Sequence, residues 1–346
     1  MRILVFSDNH FCEKSSIITK YGTRYTVRLE NQLKSLNWVE TLAQQHNCNV
    51  VVCLGDFFDH AHLTDQELTA LKDIHWTDIP HYFLVGNHES EENDLQYSST
   101  MALLTNNSFV LDKATLIPFY EKTNTIELAF LPYTLESNRH PIAEYFSTCP
   151  ENLRLLFTHT DILGMQLGPV VSKTGFSIEE LESVCHLCVN GHLHNGLQIS
   201  SKVINLGNLT GKDFSEDAFK YSHRVILIDT EKMTVDYVEN PYAFNFYKIE
   251  INTEADLNIF EQLKTNAVLS VKCSDQLILK AREKLESSNN IVEARLIVTK
   301  DATKDVVSEV GISSLLVDQC EKFAECCRAR LDNSPILEME LAEVLK

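Results

Sequence analysis

Asp8-Asn9-His10, Gly55-Asp56-Phe57-Phe58-Asp59, Gly86-Asn87-His88-Glu89, Thr158-His159 and Gly191-His192-Leu193-His194 place imidazole, carboxylate and amide donors at five points of the chain. One donor from each of Asp8, His10, Asp56, Asn87, His159, His192 and His194 gives seven, more than a single tetrahedral zinc site takes. Two ions sharing a ligand fit them better. A carboxylate such as Asp56 has two oxygens with which to bridge, and ions ~3.5–4 Å apart can activate a water and stabilise a leaving oxygen. Hydrolysis of a phosphate ester is the reaction suited to that arrangement. Mixed imidazole and carboxylate donors favour manganese, iron or zinc over magnesium, which prefers oxygen ligands and keeps its waters. Two divalent ions, manganese by preference, are the expected cofactors.

The elements that must position these donors are legible as short apolar runs. Residues 3–6, 50–54, 82–85, 155–157 and 187–189 read as buried strands by length and by aliphatic or β-branched content. Each precedes a donor, so the donors gather at strand C-termini, where loops from neighbouring strands converge in an open α/β sheet. Gly55, Gly86 and Gly191 stand immediately before donors and permit the tight turns such loops need. Helical spacing over 29–43 and 64–73 gives βαβ units and a right-handed parallel sheet. Between 109 and 132 short strand-like runs replace helices. Residues 225–229 and 234–238 read as a hairpin, 141–150 as a short helix and a break, and Ser177 with Glu180 as a capping box. The expected fold class is α/β, a two-sheet sandwich with helices outside.

Beyond residue 243 the pattern changes. Strands are expected at 247–251, 268–273 and 291–299, with helices at 255–264 and 276–287. After a polar stretch at 300–308, apolar residues recur at helical spacing from Ile312 to Cys327 and again from Ile336 to Leu345. The division expected is 1–243, 244–300 and 301–346.

The ordered set DxH, GDxxD, GNHE, a lone His and GHxH resembles the calcineurin-like metallophosphoesterase superfamily. Within it the chain most resembles SbcD-type DNA repair nucleases and their phage recombination counterparts. That resemblance implies Asp8, His10, Asp56 and His194 around one metal, and Asp56, Asn87, His159 and His192 around the other. His88 matches the family's histidine that approaches the scissile phosphate and acts as general acid. Asp59 stands where some of these nucleases carry His, and its implied role is to orient His10 or His88. Glu89 follows the GNH triplet, as in protein phosphatases, whereas the nucleases often have Asp there. The Asp-Arg-Gly triplet of those phosphatases is absent, since His60 and Ala61 follow Asp59. The resemblance further implies a capping domain over 244–300 and C-terminal helices that bind an SbcC-type SMC-like ATPase. It also implies a homodimer within the complex, with 3′ to 5′ exonuclease activity on duplex DNA and endonuclease activity on single strands or hairpins. No Walker A sequence is present, so an ATP-dependent step would use another subunit.

Composition frames these expectations. With 346 residues and 44% apolar content the chain fits a large domain plus a smaller one. It lacks a run of eighteen apolar residues, and Met1 leads directly into a strand, so a soluble cytoplasmic protein without membrane attachment is expected. Ten scattered cysteines read as reduced thiols, and Cys185 and Cys188 as core residues rather than half of a zinc site. The net charge of -19 opposes the basic surface of an autonomous DNA binder. Weak DNA affinity for the isolated chain follows, with a partner supplying phosphate contacts. The basic residues nearest the donors are Lys14, Lys20, Arg24 and Arg28, in or beside a polar insert at 11–27. His60 and His62 read as solvated loop residues. Two other functions fit the same residues: a phosphoesterase acting on protein phosphate or a nucleotide, and a subunit that tethers DNA ends with hydrolysis dispensable.

Overall fold

The computed structural model describes residues 1–91, 94–105, 107–120, 125–167 and 170–299. The expected C-terminal helices over 312–345 lie outside them.

Two six-stranded sheets pack face to face. In the first, Arg2–Phe6, Val50–Cys53, His81–Leu84 and Ser108–Leu111 run parallel in that order. The hairpin of Arg224–Asp229 and Thr234–Glu239 extends the Arg2–Phe6 edge antiparallel. The second sheet has the order Leu197–Gln198, Val203–Asn205, Leu187–Asn190, Leu153–Thr158, Thr125–Leu131 and Thr115–Tyr120. Alternation along each strand makes the layers. Ile3, Val5, Val52 and Leu84 of the first sheet meet Leu128, Phe130, Phe157 and Val189 of the second in one core. The intervening residues Leu4, Phe6, Val51 and Cys53 face outward under the helix Val27–Gln45. On the other side Ala129, Leu156 and Cys188 pack with Ile142, Leu181 and Val184. Cys185 and Cys188 are free, buried thiols in that layer.

The expected capping box forms at Ser177 and Glu180, and a second one forms at Thr64 and Glu67. Two expected helices differ in form. The 64–73 helix is α only over Asp65–Ala70 and tightens to a 3₁₀ turn at Leu71–Asp73, where Asp73 is held by Arg24 and Tyr25, each at 2.7 Å. The 255–264 helix is a run of 3₁₀ turns, Glu254–Gln262. Its buried residues Leu257 and Phe260, with Leu263 just past its end, are spaced by three, and a 3₁₀ helix with three residues per turn puts such a series on one face.

Asn245–Ile251, Ala267–Ser274 and Ile291–Thr299 form a separate three-stranded parallel sheet. It joins the sandwich through a shared cluster of Ile18, Phe214, Phe244, Phe246 and Val268. Ile18 belongs to the polar insert at 11–27, which is therefore partly built into the core. Lys20 donates to the Val292 carbonyl at 2.6 Å, Arg24 pairs with Asp73, and Arg28 is 2% exposed in the first helix. The insert is a strap between the sandwich and the small sheet, and two of its cations, Lys20 and Arg24, are engaged within the molecule.

Candidate metal centre

All five donor loops leave the C-terminal ends of parallel strands and meet at one edge of the sandwich. Backbone bonds hold them together past the strand ends. Asp8 N–H donates to Gly55 O at 3.1 Å, His10 N–H to Asp56 O at 3.0 Å, and Gly191 N–H to Thr158 O at 2.9 Å. The turns are sharp. Asp8, His10, Asp56 and His192 all have positive φ, 49°, 47°, 48° and 71°. A non-glycine residue in that region costs ~1–3 kcal/mol where the surroundings enforce it, and such residues concentrate at functional sites. Four of the seven expected donors carry this strain. The glycines beside them leave no room for a side chain. A Cβ on Gly86 would collide with Asp56 Oδ1, and one on Gly55, whose φ is +117°, would lie 2.5 Å from His159 Nδ1.

The side chains form groups joined through Asp56. Asp8, His10 and His194 bring their donor atoms together, as do Asp56, His159 and His192, and as do His10, Asp56 and His88. In the first group His10 Nε2 faces His194 Nε2 at 3.0 Å, and Asp56 Oδ2 is 3.9 Å from His10 Nε2. In the second, His159 Nε2 lies 3.4 Å from Asp56 Oδ2 and 3.2 Å from Asn87 Oδ1, and His192 Nδ1 lies 3.0 Å from Asn87 Oδ1. The donor set suits divalent cations: Asp8 Oδ1 is buried without a hydrogen-bond partner, and its Oδ2 accepts from Ser7 Oγ and from His192 N–H. A carboxylate oxygen orphaned beside converging imidazoles is the environment a cation completes.

Each histidine is oriented from behind. His10 Nδ1 meets Asp59 Oδ1 at 2.9 Å, His159 Nδ1 meets Leu54 O at 3.0 Å, His192 Nε2 meets Asp161 Oδ1 at 3.2 Å, and His194 Nδ1 lies 3.5 Å from Glu216 Oε1. Asp161, Glu216 and Lys212 were not expected from the sequence. Asp161 stands two residues after His159, a spacing that offered a signal. Lys212 and Glu216 come from an unpatterned loop, and nothing in their sequence context marks them. Lys212 Nζ is 2.8 Å from Asp59 Oδ1 and 3.2 Å from His10 Nδ1.

His88 is placed differently from the donors. Its backbone N–H donates to Asp56 Oδ1 at 3.0 Å, its Nδ1 lies 3.2 Å from the Asp59 carbonyl, and its side chain is 37% exposed. It leans over the centre from the solvent side. Asp59 therefore touches both His10 and His88. Glu89 is fully buried and accepts from Gly86 N–H at 2.8 Å and Phe58 N–H at 3.0 Å, tying the Asn87 loop to the Asp56 loop. Burial, with Asp56 nearby, pushes its carboxyl up to about 7. His60 and His62 face Glu67 and Glu91, outside the centre.

The electrostatics show how tightly charge is balanced. Burial lowers His10 to about 4, with His194 and Lys212 adding to the shift against the pull of Asp59 and Asp56. Burial acts on His159 in the same sense, but Asp56, then Asp8 and Glu89, overcome it and raise that ring to about 9. Asp56 itself is desolvated, yet His159 and His10 hold it well below the usual carboxylate range.

Residues 1–196 match the calcineurin-like phosphoesterase family. The chain belongs to that family. It is a metal-dependent phosphoesterase, and its paired His/Asp groups, which could each hold an ion, are typical of dimetal phosphoesterases. Among solved structures it is similar to the protein TT1561 of Thermus thermophilus, at 12% identity and a TM-score of 0.41, covering 69% of this chain and 98% of the other. A dimetal phosphatase from Danio rerio is 14% identical over 69% of this chain and 98% of its own, with a TM-score of 0.36. The NAD nucleotidase of Haemophilus influenzae is 14% identical over 82% of this chain and 60% of its own, also at 0.36. No curated protein matches the chain. Among the described residues no helix is long and apolar enough to cross a membrane.

Proposed function

We propose that this phosphoesterase is a DNA nuclease of SbcD type, cutting phosphodiester bonds in repair or recombination. The observation that carries this reading is the small sheet of Asn245–Thr299. It packs on the insert and on the 211–218 loop, the segments that flank His10, Asp59 and Lys212, and so builds a wall beside the centre. A small ester needs no such wall, whereas a long strand must be positioned along one. The segment over 312–345 would then serve an SbcC-type ATPase partner, the assembly being a homodimer of this chain with that ATPase.

In this reading Asp8, His10, Asp56 and His194 would hold one ion and Asp56, Asn87, His159 and His192 the other, with manganese the preferred metal. The ions supply charge neutralisation and a water acidic enough to serve as nucleophile near neutral pH. The protein's own groups do the rest. Asp56 Oδ2 faces both histidine sets while Oδ1 accepts from the His88 backbone N–H, and the carboxylate keeps its negative charge because His159 and His10 favour the ionised form. Asp59 fixes the His10 ring from its Nδ1 side and braces the His88 ring through its carbonyl. His88, exposed and adjacent, is placed to give a proton to the departing oxygen.

The test is cleavage of end-labelled duplex and single-stranded DNA with manganese, comparing wild type with His88→Asn and including bis-p-nitrophenyl phosphate. DNA cutting that is lost in the variant supports the nuclease. Turnover of phosphoprotein or mononucleotide without DNA cutting would replace it with the small-substrate reading.

A further inference from the structure

Beside the centre, on the far side of His10, lies a cavity of about 170 Å³ lined by Cys12, Lys14, Ser16, Arg28, Asp59 and Lys212 among others. Pockets that enclose drug-sized ligands run to ~300–1,000 Å³, so this one is too small for a nucleoside and suits a single ionic group.

Arg28 identifies the sign of that group. It is 2% exposed, and no carboxylate lies within ion-pair distance of it among the described residues. Its Nε meets Cys12 Sγ at 3.1 Å and its Nη1 donates to Gly211 O at 3.4 Å, which leaves the charge itself uncompensated. Burial pushes the Cys12 thiol up, so it remains neutral and offers no counter-charge. Desolvating an unpaired guanidinium costs several kcal/mol, and an anion in the cavity removes that cost. The planar fork of arginine matches phosphate in particular.

The rest of the lining agrees. Lys14 is exposed and makes no ion pair, and the Ser16 hydroxyl makes no hydrogen bond, among the described residues. Two acids also line the space, but Asp59 is engaged by His10 and Lys212, and Asp213 accepts from Ser215 N–H at 2.6 Å. In a chain of net charge -19, three basic residues converge on one small cavity. His10 separates it from the centre, with Nδ1 toward Lys212 and Nε2 toward His194.

Resting on the phosphodiesterase reading above, we propose that this cavity receives a non-scissile phosphate of the same strand, next to the bond being cut. The enzyme would thereby prefer a polynucleotide over an isolated diester. The shared chemistry is a phosphate group, and a free phosphate ion is the other source that could fill the space.

Calorimetry on full-length His88→Asn with manganese separates these cases, using thymidine dinucleotide TpT, its 5′-phosphorylated form pTpT, its 3′-phosphorylated form TpTp, and inorganic phosphate. One phosphorylated dinucleotide should bind roughly tenfold tighter than TpT, the scale of one charge-assisted hydrogen bond. Adding Lys14→Glu should abolish that gain. Equal binding of all three dinucleotides would overturn the proposal. So would a gain that survives Lys14→Glu, or inorganic phosphate binding as tightly as the better dinucleotide. Wild-type turnover of bis-p-nitrophenyl phosphate reads the underlying activity separately. Turnover without discrimination removes the subsite and keeps the phosphodiesterase, whereas discrimination without turnover does the reverse.

Discussion

His10 and His159 are equally buried, at 1% and 0% exposed, yet one is held neutral, at about 4, and the other is driven up to about 9. The two halves of the metal centre differ in what surrounds them. Around His10, a second histidine and Lys212 add positive charge to the effect of burial. Around His159, Asp56 and more distant carboxylates dominate, and the ring is fixed from behind by a backbone carbonyl. Burial lowers both rings; the carboxylates around His159 outweigh it, whereas those beside His10, opposed by His194 and Lys212, do not. The first half borders a cavity and the strap to the small sheet. The second is embedded in strand ends.

Breaking the residue the halves share should have the largest effect. Asp56→Asn removes the bridging charge, and turnover should fall to background with loss of metal from both sets, read by activity and elemental analysis. Selective loss from one set would show that Asp56 serves only that half.

His88→Asn should lower turnover by ~10²–10⁴-fold, the range for a general acid, while leaving metal content unchanged. Metal loss from this variant would move His88 into the donor set.

Gly86→Ala tests the seam between the halves. The added Cβ meets both Asp56 Oδ1 and the Asp56 backbone N, so something must shift. A loss of ~1–3 kcal/mol in stability, with weaker metal retention, is expected from overpacking of a close-packed site. An unchanged melting temperature would mean that the loop yields freely.

The orienting carboxylates should act one half at a time. Asp161→Asn should weaken metal affinity ~10–100-fold in the His159 half, and Asp59→Asn by a similar factor in the His10 half. Equal loss from both ions in either variant would dissolve the distinction.

The smallest effect is on the pH dependence of the metal-free chain. His159, raised from 6.5 to about 9, contributes stability that is complete below 6.5 and disappears as pH rises through 9. His10, lowered to about 4, contributes stability present above 6.5 and lost as pH falls through 4. Thermal melts in chelator should therefore decline at both ends. His159→Gln should flatten the alkaline limb only.

Much of this was legible in the sequence because period and punctuation survive there. Apolar runs ending in Gly-Asp, Gly-Asn and Gly-His marked strand ends, and all seven expected donors come together in the structure. The left-handed backbone of Asp8 and His192 was not legible, because a positive φ on a non-glycine residue is imposed by tertiary contacts. Lys212 and Glu216 were missed for a related reason: each is a single residue in an irregular loop, brought near His10 and His194 only by the fold. Arg28 shows the opposite failure. By charge it grouped with the basic residues nearest the donors, but helix phase buries it beside Cys12. The 254–262 segment had the composition of an α-helix, and the three-residue spacing of Leu257, Phe260 and Leu263 was the overlooked signal.

The most direct test of a shared two-ion centre is the stoichiometry of manganese binding to the metal-stripped full chain by calorimetry with elemental analysis. Two ions per chain, both lost in Asp56→Asn, is the expected result. One ion per chain, or two that survive Asp56→Asn, would contradict it.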